Sequence, residues 1–201
     1  MEFRLTYAGR LLAHRDGAQL PQRSLHIHEI RRVFHKQLKA LWASHPVLKE
    51  LHDKPPEWHA KRPGPPLVQF FAHDGFSWLP IVTEASGLIC KVDILLLRVG
   101  QPGQVVYDVD NRLKSIFDAL RKAKGPDELG ARTNQGLLKP RAEENPFYVL
   151  LEDDSLITHL SVTSDTLLEP VPDVPTDEAV RLVIDVTVRP HTPFLENLGY
   201  A

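Results

Sequence analysis

Apolar residues recur along this chain at two spacings, and the change from one to the other outlines its elements. Phe3, Leu5 and Tyr7 alternate with polar neighbours across Glu2 to Leu12, the period of a strand with one buried face. Ala13 to Arg23 is charged, contains Pro21 and reads as a turn. A helix is predicted from Leu25 to Ser44, with Ser24 as its cap and Ile27, Ile30, Val33, Phe34, Leu38 and Leu41 on its apolar side. Arg31, Arg32, Lys36 and Lys39 fall on its other faces, as a solubilising surface or one that meets a phosphate backbone. Lys49 to Pro66 is a polar, proline-interrupted link whose Trp58 covers a core edge or stacks on a base.

Beyond the link, Leu67 to Ala72 and Trp78 to Val82 are candidate strands, with Asp74-Gly75 as the turn between them. Ile89 to Val99 is a third, rich in branched apolar residues and interrupted by Lys91 and Asp93, and Gly100 to Gly103 turns the chain after it. From Val109 the period becomes helical: Val109, Leu113, Ile116, Phe117 and Leu120 form one stripe, while Asp110, Lys114 and Asp118 recur every four residues elsewhere. An apolar run follows at Phe147 to Leu151, then strands at Leu156 to Val162 and Val180 to Val188, separated by a connection holding Pro170, Pro172 and Pro175. This order predicts an α/β two-layer domain, a mixed sheet packed by helices. The tail after Arg189 packs locally or against a second subunit.

Composition narrows the picture. At 201 residues, with 42% hydrophobic and 25% charged, the chain is expected to form a single domain over 1–201, with residues 121–148 as an insertion. That insertion carries Lys122, Lys124, Arg132, Lys139 and Arg141 among repeated Gly and Pro breaks, the composition of a loop that contacts DNA, extends an interface or stays solvated. Cys90 is the single cysteine, which excludes an intrachain disulfide or cysteine-rich metal site and marks it as a core residue. The net charge of −2 does not describe a nonspecific DNA coat, although separate patches can coexist with it. No long apolar segment or signal peptide stands out, so a cytoplasmic location and no membrane partner are expected. His26, His28, His35, His45, His52 and His59 make no zinc pattern and read as residues of polar connections.

The chemistry lies in the acids. Asp108 and Asp110 flank the start of the second predicted helix, and one of them suffices to cap it. The second is a surplus that a divalent cation could explain, since Mg²⁺ takes hard oxygen ligands and commonly one or two carboxylates. Glu152-Asp153-Asp154 sits between two apolar segments, either as a charged turn or as acids converging with the first pair on a cation. Lys114, one turn after Asp110, is an ion-pair partner for Asp110 or Asp118, or a cation for a phosphate.

Asp108-Val109-Asp110-Asn111-Arg112-Leu113-Lys114, then Phe117-Asp118-Ala119-Leu120 and Glu152-Asp153-Asp154-Ser155, resembles the RusA family of Holliday junction resolvases over about Ile89 to Val162. The resemblance implies a RusA-like α/β fold, a homodimer, and Mg²⁺-dependent phosphodiester hydrolysis in branched DNA during recombination and repair, with Mn²⁺ as a substitute ion. It implies that Asp108, Asp110 and Asp154 are the essential metal-binding carboxylates and Lys114 the essential lysine, with Asn111, Asp118 and Asp153 in support. The long segment between helix and acidic pair departs from the family pattern and bears on substrate choice. Two other readings stand beside it: a noncatalytic nucleic-acid binding protein that retains the fold, and a related nuclease for flaps, forks or RNA.

Overall fold

Two-residue alternation produces a four-stranded sheet built from residues far apart in the chain. The computed structural model describes residues 1–12, 20–54, 58, 64–100, 109–133 and 136–200, without the side chains of residues 20, 21, 109 and 110. Its strands are β1 (Glu2–Arg10), β2 (Phe71–His73), β3 (Phe76–Val82), β4 (Leu88–Arg98), β5 (Phe147–Leu151), β6 (Ile157–Thr166) and β7 (Ala179–Pro190). The larger sheet has the order β1-β7-β4-β6: β7 runs antiparallel to both β1 and β4, and β6 runs parallel to β4. A separate three-stranded sheet has the order β2-β3-β5, with β3 and β5 parallel. The domain is therefore a two-layer α/β structure with mixed sheets, and the expectation of one sheet is corrected to two. Asp74 and Gly75 join β2 to β3 with φ of 54° and 82°, the left-handed pair that a tight two-residue hairpin requires.

Helix α1 (Leu20–Ser44) starts earlier than expected, so Ser24 lies inside it and is not its cap. Pro21 falls in the first turn, where a missing N–H costs no intrahelical bond. Ile27, Ile30, Phe34, Leu38 and Trp42 are buried at helical spacing against the larger core, whereas Val33 is exposed. A second buried stripe, His28, Arg31 and His35, runs beside the first and covers the aromatic face of the smaller sheet: His28 packs on Phe76 and Phe147, and His35 on Phe147 and Tyr148. This corrects two expectations. Arg31 belongs to the core, and His26, His28 and His35 are buried: His35 Nδ1 takes the Tyr148 N–H at 2.9 Å and His26 Nε2 takes that of Leu12 at 3.3 Å. Arg32 is spent on Glu144 at 2.8 Å, so Lys36 and Lys39 alone keep the expected exposure.

The expected link over Lys49 to Pro66 begins inside a short helix, α2 (Pro46–His52), which buries Leu48 and Leu51. Trp58 packs on the core with the Lys54 ammonium over its ring, and His59 lies outside the described residues. Helix α3 (Val109–Leu120) buries Ile116, Ala119 and Leu120 and packs on α1. The segment after it is no loose loop: a 3-10 turn at Pro126–Leu129, with Ala123 and Leu129, builds a second core on Phe76, Trp78, Phe147 and Val149. Burial pushes the Cys90 thiol up to about 12. No helix among the described residues is long and apolar enough to cross a membrane.

Burial pulls His26 down to about 4 and His28 to about 2, with nearby arginines acting in the same direction. Both are neutral in the fold and take up protons near pH 6.5 once unfolded. The unfolded state then binds more protons below that pH. Stability is expected to be full above about pH 6.5 and to fall as pH drops through 6 toward 4. Urea midpoints across that range check this, and His28→Phe should flatten the dependence.

Candidate functional site

Acids, cations and a helix end meet where the chain passes from the smaller sheet to the larger. β5 is parallel to β3, and ligand sites in such arrangements favour the carboxyl ends of strands. From that end Glu152, Asp153 and Asp154 lead through a 3-10 turn at Asp154–Leu156 into β6. Glu152 is a connector: its N–H bonds to Val82 O, and its carboxylate accepts the Glu84 N–H at 3.1 Å. Alongside, Arg121 bridges to Leu151 directly after α3, and the Lys122 N–H bonds to Leu151 O. The residues following the helix thus run beside the acidic turn.

Asp153 and Asp154 differ sharply in this position. Asp153 caps the 3-10 turn by accepting the Ser155 N–H at 3.1 Å and pairs with Lys124 Nζ at 2.8 Å. Those two bonds, the lysine's foremost, hold its carboxyl well below the usual carboxylate range. Asp154 is held loosely: its Oδ1 lies 3.4 Å from Lys124 Nζ and 3.7 Å from Arg121 Nε. Both exceed the roughly 2.7–2.9 Å of a good charge-assisted bond. With 42% of its side chain exposed, it keeps lone pairs open to another partner.

Arg121 is the hub of the charge network. Its side chain is 5% exposed, bonds both oxygens of Glu128 at 2.9 and 3.0 Å, and pairs with Asp118. Burial opposes the guanidinium's charge, yet Glu128 and Asp118 overcome it and its pKa is raised. Burial likewise pushes Glu128 up, but Arg121 outweighs it and holds that carboxyl below its ordinary value. Asp118 also accepts from Arg23 at 2.9 Å, so its partners are Arg23 and Arg121, and Lys114 stands exposed on α3. Asn111 is half-buried in the first turn of α3. Asp108 lies outside the described residues, as does the side chain of Asp110.

The donor chemistry suits a hard divalent cation: carboxylate oxygens, one of them on a loosely held and accessible Asp154. Among the described residues no group of three His, Cys, Asp or Glu side chains is arranged to hold a metal ion. Sequence reasoning missed Arg121 and Glu128, of which only the Asp118 to Arg121 spacing carried a local sign, and it read Arg23 and Arg31 as surface cations where the fold spends them on Asp118 and on the end of α3. No protein-family model matches the chain, and neither a curated protein nor a solved structure matches it.

Removing the Arg121 guanidinium strands two acids in a half-buried setting. Arg121→Ala is expected to lower unfolding stability by about 3 kcal/mol, since one half of a buried pair is then left behind. Urea denaturation measures the loss, and a change within experimental error would deny Arg121 its central place.

Proposed function

We propose that this chain is a Mg²⁺-dependent, structure-selective endodeoxyribonuclease that hydrolyses phosphodiesters in branched DNA, four-way junctions foremost, acting as a RusA-like homodimer. The observation that carries the reading is the accessible, weakly held carboxylate of Asp154 in a turn that packs on α3, the helix opened by Asp108-Val109-Asp110. Asp108, Asp110 and Asp154 would hold the ion, with Mn²⁺ as a substitute by its kindred oxygen preference. Bound there, the ion supplies Lewis-acid polarisation of the phosphate and a readily deprotonated water.

The chain's own groups divide the remaining work. The exposed ammonium of Lys114 neutralises charge that builds on the phosphate in the transition state. Asp153 shapes the turn that presents its neighbour, and Asp118 anchors the helix through Arg23 and Arg121. Asn111 supports the start of the helix. A cytoplasmic role in DNA recombination and repair belongs to the same reading.

The pairing of both turn acids with Lys124 favours a second reading, in which the carboxylates serve only to hold the fold and the protein binds nucleic acid without cutting it. Cleavage separates the two. Four-way, three-way, flap, duplex and single-stranded DNA and matched RNA are incubated with Mg²⁺, Mn²⁺ or chelator. The expected result is paired incision of the four-way junction, dependent on the ion. Asp108→Asn, Asp110→Asn and Asp154→Asn should each abolish it while direct junction binding persists. Lys114→Ala should lower the single-turnover rate more than affinity, by about a hundredfold if it aids only the transition state. Preference for another substrate would keep the metal chemistry and displace the junction; binding without cutting would establish the second reading.

A further inference from the structure

The two edges of the larger sheet are finished differently. On β1 the middle of the edge is occupied by α1: Gln37 Oε1 accepts the Thr6 N–H at 2.9 Å, and Gln37 Nε2 donates to Thr6 O at 2.7 Å. An incoming strand would have to displace that amide. On β6 no described residue plays such a part.

The register of β6 identifies its open groups. After an irregularity near Thr158, it pairs evenly with β4 from His159↔Lys91 to Thr166↔Arg98. The Leu167 N–H donates to Arg98 O at 2.7 Å, so odd-numbered residues turn their peptide groups toward β4. Leu160, Val162 and Ser164 therefore turn theirs outward. The outward N–H of Thr166 is already taken by Asp165 Oδ1 at 2.7 Å, which ends the open run. From His159 to Thr166 the strand has no proline or lysine, devices that commonly protect an edge. Leu160, on the core side, is 42% exposed.

We propose that β6 pairs antiparallel with β6 of a second copy of this chain, about a two-fold axis at Val162, joining two four-stranded sheets into one. Side-chain complementarity selects this occupant and register: an imidazole N–H donor at one end of the strand and a carboxylate acceptor at the other. With the axis at Val162, Val162 faces itself and Leu160 faces Ser164, all residues with outward peptide groups. His159, whose Nε2 lies a loose 3.7 Å from Asp93 Oδ1 of its own chain, then faces Asp165 of the partner subunit at both ends of the ladder. Moving the axis to Ser161 or Thr163 sets His159 against Thr163 or Leu167 and loses both pairs. Val162 meets its counterpart on the axis, and Leu160 reaches it diagonally, which continues the apolar face across the axis.

This gives a specific interface to the homodimer proposed above and is tested without a cleavage assay. Sedimentation velocity over a concentration series is run on the full chain, on His159→Asp, on Asp165→Lys and on the double variant. The unchanged protein should be a dimer, and each single substitution should weaken association about tenfold, His159→Asp by setting two carboxylates opposite each other and Asp165→Lys by removing the acceptor for the imidazole N–H, each twice per interface. The double variant should recover the original affinity, an outcome that local misfolding cannot produce. A wild-type monomer at every concentration, or a dimer indifferent to all three variants, would overturn the pairing. A dimer that follows this pattern yet cuts no DNA would uphold it while removing the nuclease reading.

Discussion

One buried guanidinium sets the geometry on which the rest of the domain depends. Arg31 is wholly enclosed and spends its fork on the carboxyl end of α3, donating to Arg121 O at 3.0 Å and to Asp118 O. Helix ends leave carbonyls without intrahelical donors, and a cation placed there also meets the negative end of the helix dipole. Burial pulls the pKa of Arg31 down to about 10, so it stays charged at neutral pH. Glu128 at 3.5 Å and the face of Trp78, 5.6 Å from the guanidinium carbon, supply further compensation. One side chain from α1 thus fixes where α3 stops and where the following segment begins.

Everything near the acidic turn inherits that position. Because α3 ends against Arg31, Arg121 lies beside Leu151 and meets Glu128 and Asp118, and Lys124 reaches Asp153. The network is balanced in charge, with Arg23, Arg31, Arg121 and Lys124 facing Asp118, Glu128, Asp153 and Asp154. Such balance tolerates burial better than isolated ions would, and it commits the members to one arrangement. Asp154 is the exception, with the longest contacts of the group, which is why any reactivity is assigned to it.

The legible part of the fold was the part with a local cause. Alternation in β1, β4 and β7 and the helical stripe of α3 announce which face is buried, and Asp74-Gly75 announces its turn. Arg31, His28 and His35 were misread as surface or connection because residue type argues for water, while the reason for their burial lies far along the chain, at the end of α3 for Arg31 and on the aromatic face of the smaller sheet for the two histidines. The same distance hid the second sheet and the packed character of residues after Leu120, whose apolar members Ala123 and Leu129 are too sparse to show a period. At the candidate site the acids could be named from their types, but Lys124 and Asp154 are 30 residues apart and meet only through the parallel approach to β5.

The enclosure of Cys90 has a practical consequence. Its thiol lies within the β4 face of the core and ionises only near pH 12, so at neutral pH it offers almost no thiolate to an alkylating reagent. With no other cysteine in the sequence, the native chain is nearly silent toward maleimide chemistry. A fluorophore or spin label attached through one introduced surface cysteine would report from that position alone, and distances within the molecule could be measured without first removing a native residue from its core.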